Sequence, residues 1–405
     1  MGKAAQSPDT VRHDRDGSPP TMPWRSLIVG MIGFLTLVDL FAAQAILPSL
    51  AQKYDVTPAA IGLAANASTL GMALSCLGVA LISRNLNRRS GIWISLALLA
   101  IPTLLLVYAP NLAVFAALRV VQGIFMASAF ALTMTYLAEH GSAESTASAL
   151  AAYITGVVAS NLVGRLISAS VSDMYGLGAN FTLLAALNLA GALLVYVSLD
   201  RMGPMAMPVA ERSPWASWVE HLRNPRLRAG FGIGFLILFA FIGIFTYVNF
   251  VLSAAPIAIS PMSLGVVYFV FLPAMFSTPT AGRLAVRFGT RNALWLGLLV
   301  AGIGLPLLLL PNLVSVLVGM VLVGVGTFFA QAIGTGYIGR EAKTDRAAAS
   351  GLYLASYYFG GLMGAAMIGQ IFDRFGWNAS VAVVGVSLVI AGLLAMRLAT
   401  PHTQE

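Results

Sequence analysis

The chain has 405 residues, 58% of them hydrophobic and only 9% charged, with a formal net charge of +8. A soluble domain is about 25% charged, so this composition belongs in a bilayer, and basic residues scattered over short loops exclude a nucleic-acid-binding domain. One cysteine, Cys76 in an apolar run, excludes an intrachain disulfide and reads as a small hydrophobe; no metal or cofactor is expected.

Residues 1–25 are polar and lack the apolar core of a signal peptide, so they read as a disordered cytoplasmic tail. Twelve apolar runs follow, each close to the roughly 20 residues that one helical crossing needs. They fall at 26–48, 59–82, 91–109, 112–137, 146–171, 179–199, 229–253, 263–285, 292–310, 313–338, 347–371 and 378–397. The breaks are short except for 200–228, a polar linker with Trp215, Trp218 and five arginines. The predicted fold is an all-α membrane protein of two pseudo-symmetric six-helix bundles. The bundles cover 26–199 and 229–397, the linker 200–228 is cytoplasmic, and 398–405 is a C-terminal tail.

Alternate loops, the linker and the tails collect 19 of the 23 lysines and arginines, against Lys53 and Arg374 in the opposite loops. By the positive-inside rule both termini are cytoplasmic. The halves also repeat. "PNLAVFAALRVVQGIF" from Pro110 and "PNLVSVLVGMVLVGVG" from Pro311 align at an offset of 201, and Tyr153, Gly164, Asp173 and Gly176 match Tyr353, Gly364, Asp373 and Gly376 at 200. Duplicated bundles are a transporter architecture, with the substrate site between the repeats near the midplane. Runs three, six, nine and twelve read as lipid-facing supports; the others carry the polar and small residues of an interior.

Over nearly its whole length the sequence resembles the major facilitator superfamily. "GRLAVRFGTR" is similar to the family's loop signature Gly-x-Leu-Ala-Asp-Arg-x-Gly-Arg-Arg, with Gly282, Arg287, Gly289 and Arg291 kept and Val286 in place of the acid. The matching loop of the first half keeps Arg84 and Arg88 but has Ser83 for the acid and Leu86 for the glycine. The resemblance implies a gating role for these residues and, with both acids gone, a weaker lock on the cytoplasmic face. "LRVVQG" resembles the Arg-x-x-Gln-Gly motif of proton-coupled members. "QAILPSLA", "GRLISASVSDMYG" and "GQIFDRFGW" are similar to the bacterial sugar-efflux and drug-efflux branch. A bacterial inner-membrane carrier acting as a monomer is implied.

Three charges lie deep inside runs, away from their ends: Asp39, Arg119 and Arg165. A charge at the bilayer centre costs about 2.5–3.5 kcal/mol even on lenient scales, so each is paired or functional. Met320 and Ala365 occupy the repeat positions of Arg119 and Arg165, so the framework does not require the cations. A structural ion pair of Asp39 with either arginine is one reading. The other has Asp39 carrying a proton with Arg119 beside it, while Arg119, Arg165, Gln122 and Asn161 face the substrate. Tyr247, Asn249, Tyr268, Gln331, Tyr353, Tyr357 and Tyr358 form a polar-aromatic set in the second half, suited to an organic ligand. The repeated Asp173 and Asp373 read as architectural. No nucleophile with a base, nucleotide loop or metal cluster marks an enzyme. The leading expectation is proton-coupled export of a small organic molecule by alternating access. The alternative is an organic-anion uniporter or exchanger that binds its substrate through Arg119 and Arg165.

Overall fold

The structure, a computed structural model, describes residues 23–82, 87–139, 143–199 and 214–398. The first half consists of α1 (Pro23–Ala45), a short α2 (Leu47–Tyr54), α3 (Pro58–Ile82), α4 (Arg88–Leu105), α5 (Leu112–Glu139) and α6 (Ala143–Ser198). The second half consists of α7 (Pro214–Arg223), α8 (Pro225–Ser253), α9 (Pro261–Val267), α10 (Leu272–Ser277), α11 (Ala281–Phe288), α12 (Thr290–Leu307), α13 (Leu313–Glu341) and α14 (Arg346–Ala395). Expectations for the N-terminal tail, Ser83, Arg84, Leu86, most of the linker and the C-terminal tail lie outside the described residues.

Ten helical stretches among the described residues are long and apolar enough to cross a membrane. Two of them, of 51 and 50 residues, are about twice the length one crossing needs. Each breaks at a glycine, Gly176 at φ 84° and Gly376 at φ 78°. Side chains rarely tolerate that backbone, so each long helix has two limbs hinged at a repeated glycine. The repeated Pro-Asn-Leu has a physical reason too. Asn111 accepts from the Val114 N–H at 3.0 Å and Asn312 from the Val314 N–H at 2.8 Å, so both asparagines cap the helix that follows.

In matching fashion α1 packs along α6 and α8 along α14, and the halves meet mainly where α14 lies on α3 and α9 on α6. A side chain at Gly33 would strike Tyr153, and one at Gly234 would strike Tyr353, so this close approach recurs in both halves. α4, α12 and the second limbs of α6 and α14 present exposed apolar rows, among them Ile101, Leu193, Leu299 and Val389. These helices match the runs read as lipid-facing.

One predicted span and the predicted linker differ from the structure. The run 263–285 is not one helix: 3₁₀ turns at Tyr268–Phe271 and Thr278–Thr280 interrupt it. Pro273 and Pro279 lack the N–H that would continue a regular ladder. The polar stretch 200–228 ends in structure. Within it α7 buries Trp218 and leaves Trp215 exposed, and α8 begins at Pro225 under an Asn224 cap. α7 docks on the second half through His221 Nε2 and the Asp345 carbonyl (3.2 Å) and through Thr344 Oγ1, which donates to Glu220 (3.1 Å). This end, with the Arg226–Glu341 ion pair at 3.6 Å, is the chain-end face. The opposite end, with α2, is the far face.

Candidate functional site

Asp39 on α1 is buried, with 1% of its surface exposed. Its Oδ2 accepts from Asn188 Nδ2 at 2.6 Å and lies 3.3 Å from the Thr103 hydroxyl. Gln122 Nε2 donates to Thr103 Oγ1 at 2.6 Å, and Arg119 Nη1 donates to Gln122 Oε1 at 2.8 Å. Arg119 and Gln122 are three residues apart on α5 and therefore share a face. A side-chain chain thus runs from Arg119 to the carboxylate without the two charges touching.

The remaining Arg119 bonds go elsewhere. Nε donates to the Ala65 carbonyl (2.8 Å), Nη2 to Ser68 Oγ (3.1 Å) and Nη1 also to the backbone carbonyl of Asp39 (3.2 Å). The guanidinium therefore ties α5 to α3 and α1. The sequence left open which arginine pairs with Asp39; in the structure neither guanidinium reaches its carboxylate, and Oδ1 has no hydrogen-bond partner. At the repeat positions of Asp39, Arg119, Gln122 and Asn188 stand Ala240, Met320, Val323 and Leu388, all buried.

Arg165 sits apart, between the halves. Nη2 donates to Gln44 Oε1, and the guanidinium lies over the Tyr268 ring, 3.9 Å from its centroid. Tyr268 donates its proton to Asn249 Oδ1 at 2.5 Å, and Asn249 Nδ2 donates to the Gln44 carbonyl at 3.1 Å. Gln44 Nε2 donates to Asn66 (3.1 Å), and Asn66 Nδ2 donates to Thr246 (3.1 Å). α1, α3 and α6 of one half are thereby joined to α8 and the segment after α9 of the other. Nearer the far face, the Asp373 carboxylate accepts from the Ala59 N–H at 3.2 Å and 3.4 Å, across the halves at the start of α3. Its repeat partner Asp173 is exposed and makes no such bond among the described residues.

The other expected residues divide. Tyr247 donates to the Ala365 carbonyl at 2.5 Å and is wedged between Gly62 and Gly369, so it packs the interface. Tyr353, Tyr357 and Tyr358 form one buried ring cluster on α14, with centroids 6.2 Å and 5.4 Å apart. Gln331 faces Tyr357, and Tyr358 lies near Cys76 and Tyr153 of the first half. This cluster lies closer to the chain-end face, apart from Arg165. In the loop signature, Gly289 takes φ 83° between α11 and α12, Arg287 lies over Phe288 and Arg291 over Trp295, Gly282 has open space around it, and Val286 is exposed. Arg88 opens α4. Sequence reasoning missed Gln44, Asn66, Ser68, Thr103, Ser168, Asn188 and Thr246. Each is a neutral polar residue in a largely apolar run, a weaker signal than a charge.

The sequence profile of the Major Facilitator Superfamily matches residues 29–271 and 248–405. The chain is 28% identical over 367 residues to the inner membrane transport protein YnfM of Escherichia coli K12, covering 90% of this chain and 88% of that one. It is 26% identical over 381 residues to the MFS-type transporter YybF of Bacillus subtilis 168, covering 92% and 94%. Its fold matches a bacterial homologue of the human lysosomal transporter Spinster in an inward-facing, unoccupied conformation, with a TM-score of 0.75, 16% identity and coverage of 95% and 100%. The nucleoside transporter NupG matches with a TM-score of 0.72, 14% identity and coverage of 92% and 98%. The chain belongs to the major facilitator superfamily: it is a multi-pass membrane transporter, a carrier and not an enzyme.

Proposed function

We propose that this protein is a proton-coupled secondary transporter that exports a small organic molecule by alternating access, with Asp39 as the proton carrier. The observation that carries the reading is a buried carboxylate with one oxygen unpartnered and no guanidinium against it. A buried carboxylate without a salt bridge is costly, and a proton that comes and goes relieves that cost. The Asn188, Thr103 and Gln122 chain leads from this carboxylate to Arg119, whose bonds to the Asp39 and Ala65 carbonyls hold α1 and α3. Proton gain or loss at Asp39 would then loosen or tighten the packing of helices at the interface between the halves. Export is favoured by the resemblance of the outer motifs to efflux members.

In this reading each limb of α6 and α14 is one crossing, giving twelve. The crossings form two six-helix bundles, 26–199 and 229–397, joined by 200–228 in a monomer with both ends in the bacterial cytoplasm. The contacts between halves at Asp373, the Gln44 carbonyl, Asn66 and Arg165 would close the far face, as expected for the state open to the cytoplasm. The test is a pH dye inside proteoliposomes with organic anions, sugars and cationic drugs outside, comparing wild type with Asp39→Asn. The reading expects substrate-dependent proton flux in the wild type and none in the variant. Substrate movement without proton movement, equal in both proteins, would overturn it.

A further inference from the structure

Resting on that transporter reading, we infer that the substrate is a small monocarboxylate bearing a hydroxyl or amide group, bound along one face of α6 by Asn161, Arg165 and Ser168. The three residues are spaced i, i+4 and i+7, so they share a helix face. All three are completely buried. Each has polar atoms without partners: Nε and Nη1 of Arg165, both side-chain polar atoms of Asn161, and Ser168 Oγ. Buried polar atoms are nearly always hydrogen-bonded. Three unsatisfied side chains on one face, with Arg165 at the meeting of the halves, mark a place built for a guest.

The charge of the guest follows from the surroundings. Arg165 has aromatic neighbours in Phe41, Tyr268 and Phe271. Among the described residues no carboxylate pairs with it. A buried cation without a counter-charge is costly, and an anion that arrives with each cycle removes the deficit. The guest brings one negative charge because Arg165 is the free cation of this region: Arg119 has bonds from Nε, Nη1 and Nη2 already placed. Along the helix axis Asn161 lies about 6 Å and Ser168 about 4.5 Å from Arg165. Asn161 offers both a donor and an acceptor, which suits a hydroxyl or amide a few bonds from the carboxylate.

The repeat supplies a control. At the equivalent positions of α14 stand Gly361, Ala365 and Ile368. There the Ala365 carbonyl accepts from Tyr247, so that face is closed by packing. The same framework is therefore built once with the polar face and once without it.

The experiment is uptake into proteoliposomes of radiolabelled lactate, gluconate, glucose, succinate and tetraphenylphosphonium. Wild type is run beside Arg165→Gln, Asn161→Ala and Ser168→Ala, each confirmed monodisperse by size exclusion. The expected result is uptake of lactate or gluconate in preference to the others, at least tenfold lower in Arg165→Gln. Asn161→Ala and Ser168→Ala should lower gluconate uptake several-fold. Uptake of glucose or tetraphenylphosphonium with both monocarboxylates inert leaves the transporter reading standing and overturns the anion assignment. Equal uptake of succinate overturns the single-charge argument, and wild-type uptake by Arg165→Gln overturns the site. A wild type that moves none of the five overturns the monocarboxylate assignment, and the transporter reading is then decided separately by the proton-flux comparison of wild type with Asp39→Asn.

Discussion

The first half of the chain buries Asp39, Arg119, Gln122 and Asn188 where the second half buries Ala240, Met320, Val323 and Leu388. Both halves cap the same helix with asparagine, hinge at the same glycine and press a tyrosine against the same neighbour. The apolar copy reveals what the framework needs, and the polar copy what has been added to it. The difference also separates two kinds of arginine. Arg119 is surrounded by acceptors and works as a tie between helices; Arg165 has aromatic rings, one glutamine and two unused nitrogens.

That comparison can be broken at single positions. The largest effect is expected for Met320→Arg, which buries a guanidinium in a site that is 0% exposed and lined by apolar neighbours. An unpaired buried ion costs several kcal/mol, so little or no folded protein should be recovered from detergent extracts on size exclusion. The reciprocal Arg119→Met strips partners from Gln122, Ser68 and the Ala65 carbonyl. At about 1–3 kcal/mol for each group left unsatisfied, the apparent melting temperature should fall clearly and transport should be lost.

Next comes a matched pair of glycines. A side chain at Gly123 would lie 1.9 Å from the Ser68 carbonyl, whereas one at Gly324 would lie 3.1 Å from the Phe271 ring. A backbone atom cannot step aside as a ring can, so Gly123→Ala should cost about 1–3 kcal/mol and Gly324→Ala less, read as the difference between their melting temperatures. The smallest effect belongs to the far face. Asp373→Asn weakens a carboxylate contact at a helix start, a contact worth about 0.3–1 kcal/mol. Labelling of a cysteine placed at the far face should rise by up to about fivefold, while Asp173→Asn should leave it unchanged.

Much of this was legible in the sequence. Apolar runs located the long helices because a bilayer demands a nearly fixed length. The offset of about 200 exposed the duplication, and a charge inside an apolar run pointed to Asp39, Arg119 and Arg165. The partners were not legible. Arg119 is held largely by backbone carbonyls and a serine, and every residue carries a carbonyl, so no sequence signal marks Ala65. Which face of α6 looks inward depends on helix rotation, so Ser168 escaped notice although it shares that face with Asn161 and Arg165. α7 was missed because ten amphipathic residues within a polar linker give a weak periodic signal. The break in the segment from α9 to α11 was written in Pro273 and Pro279, but overall hydropathy outweighed them.

In the proposed mechanism Asp39 carries the coupled proton without holding the substrate. The most direct measurement compares, in Asp39→Asn proteoliposomes, exchange of labelled for unlabelled substrate with uphill accumulation driven by a pH gradient. Exchange needs no net proton movement, so it should persist while accumulation disappears. Accumulation at the wild-type level would rule out Asp39 as the proton carrier, and loss of exchange in a variant that remains monodisperse and thermally stable would show that Asp39 also holds the substrate.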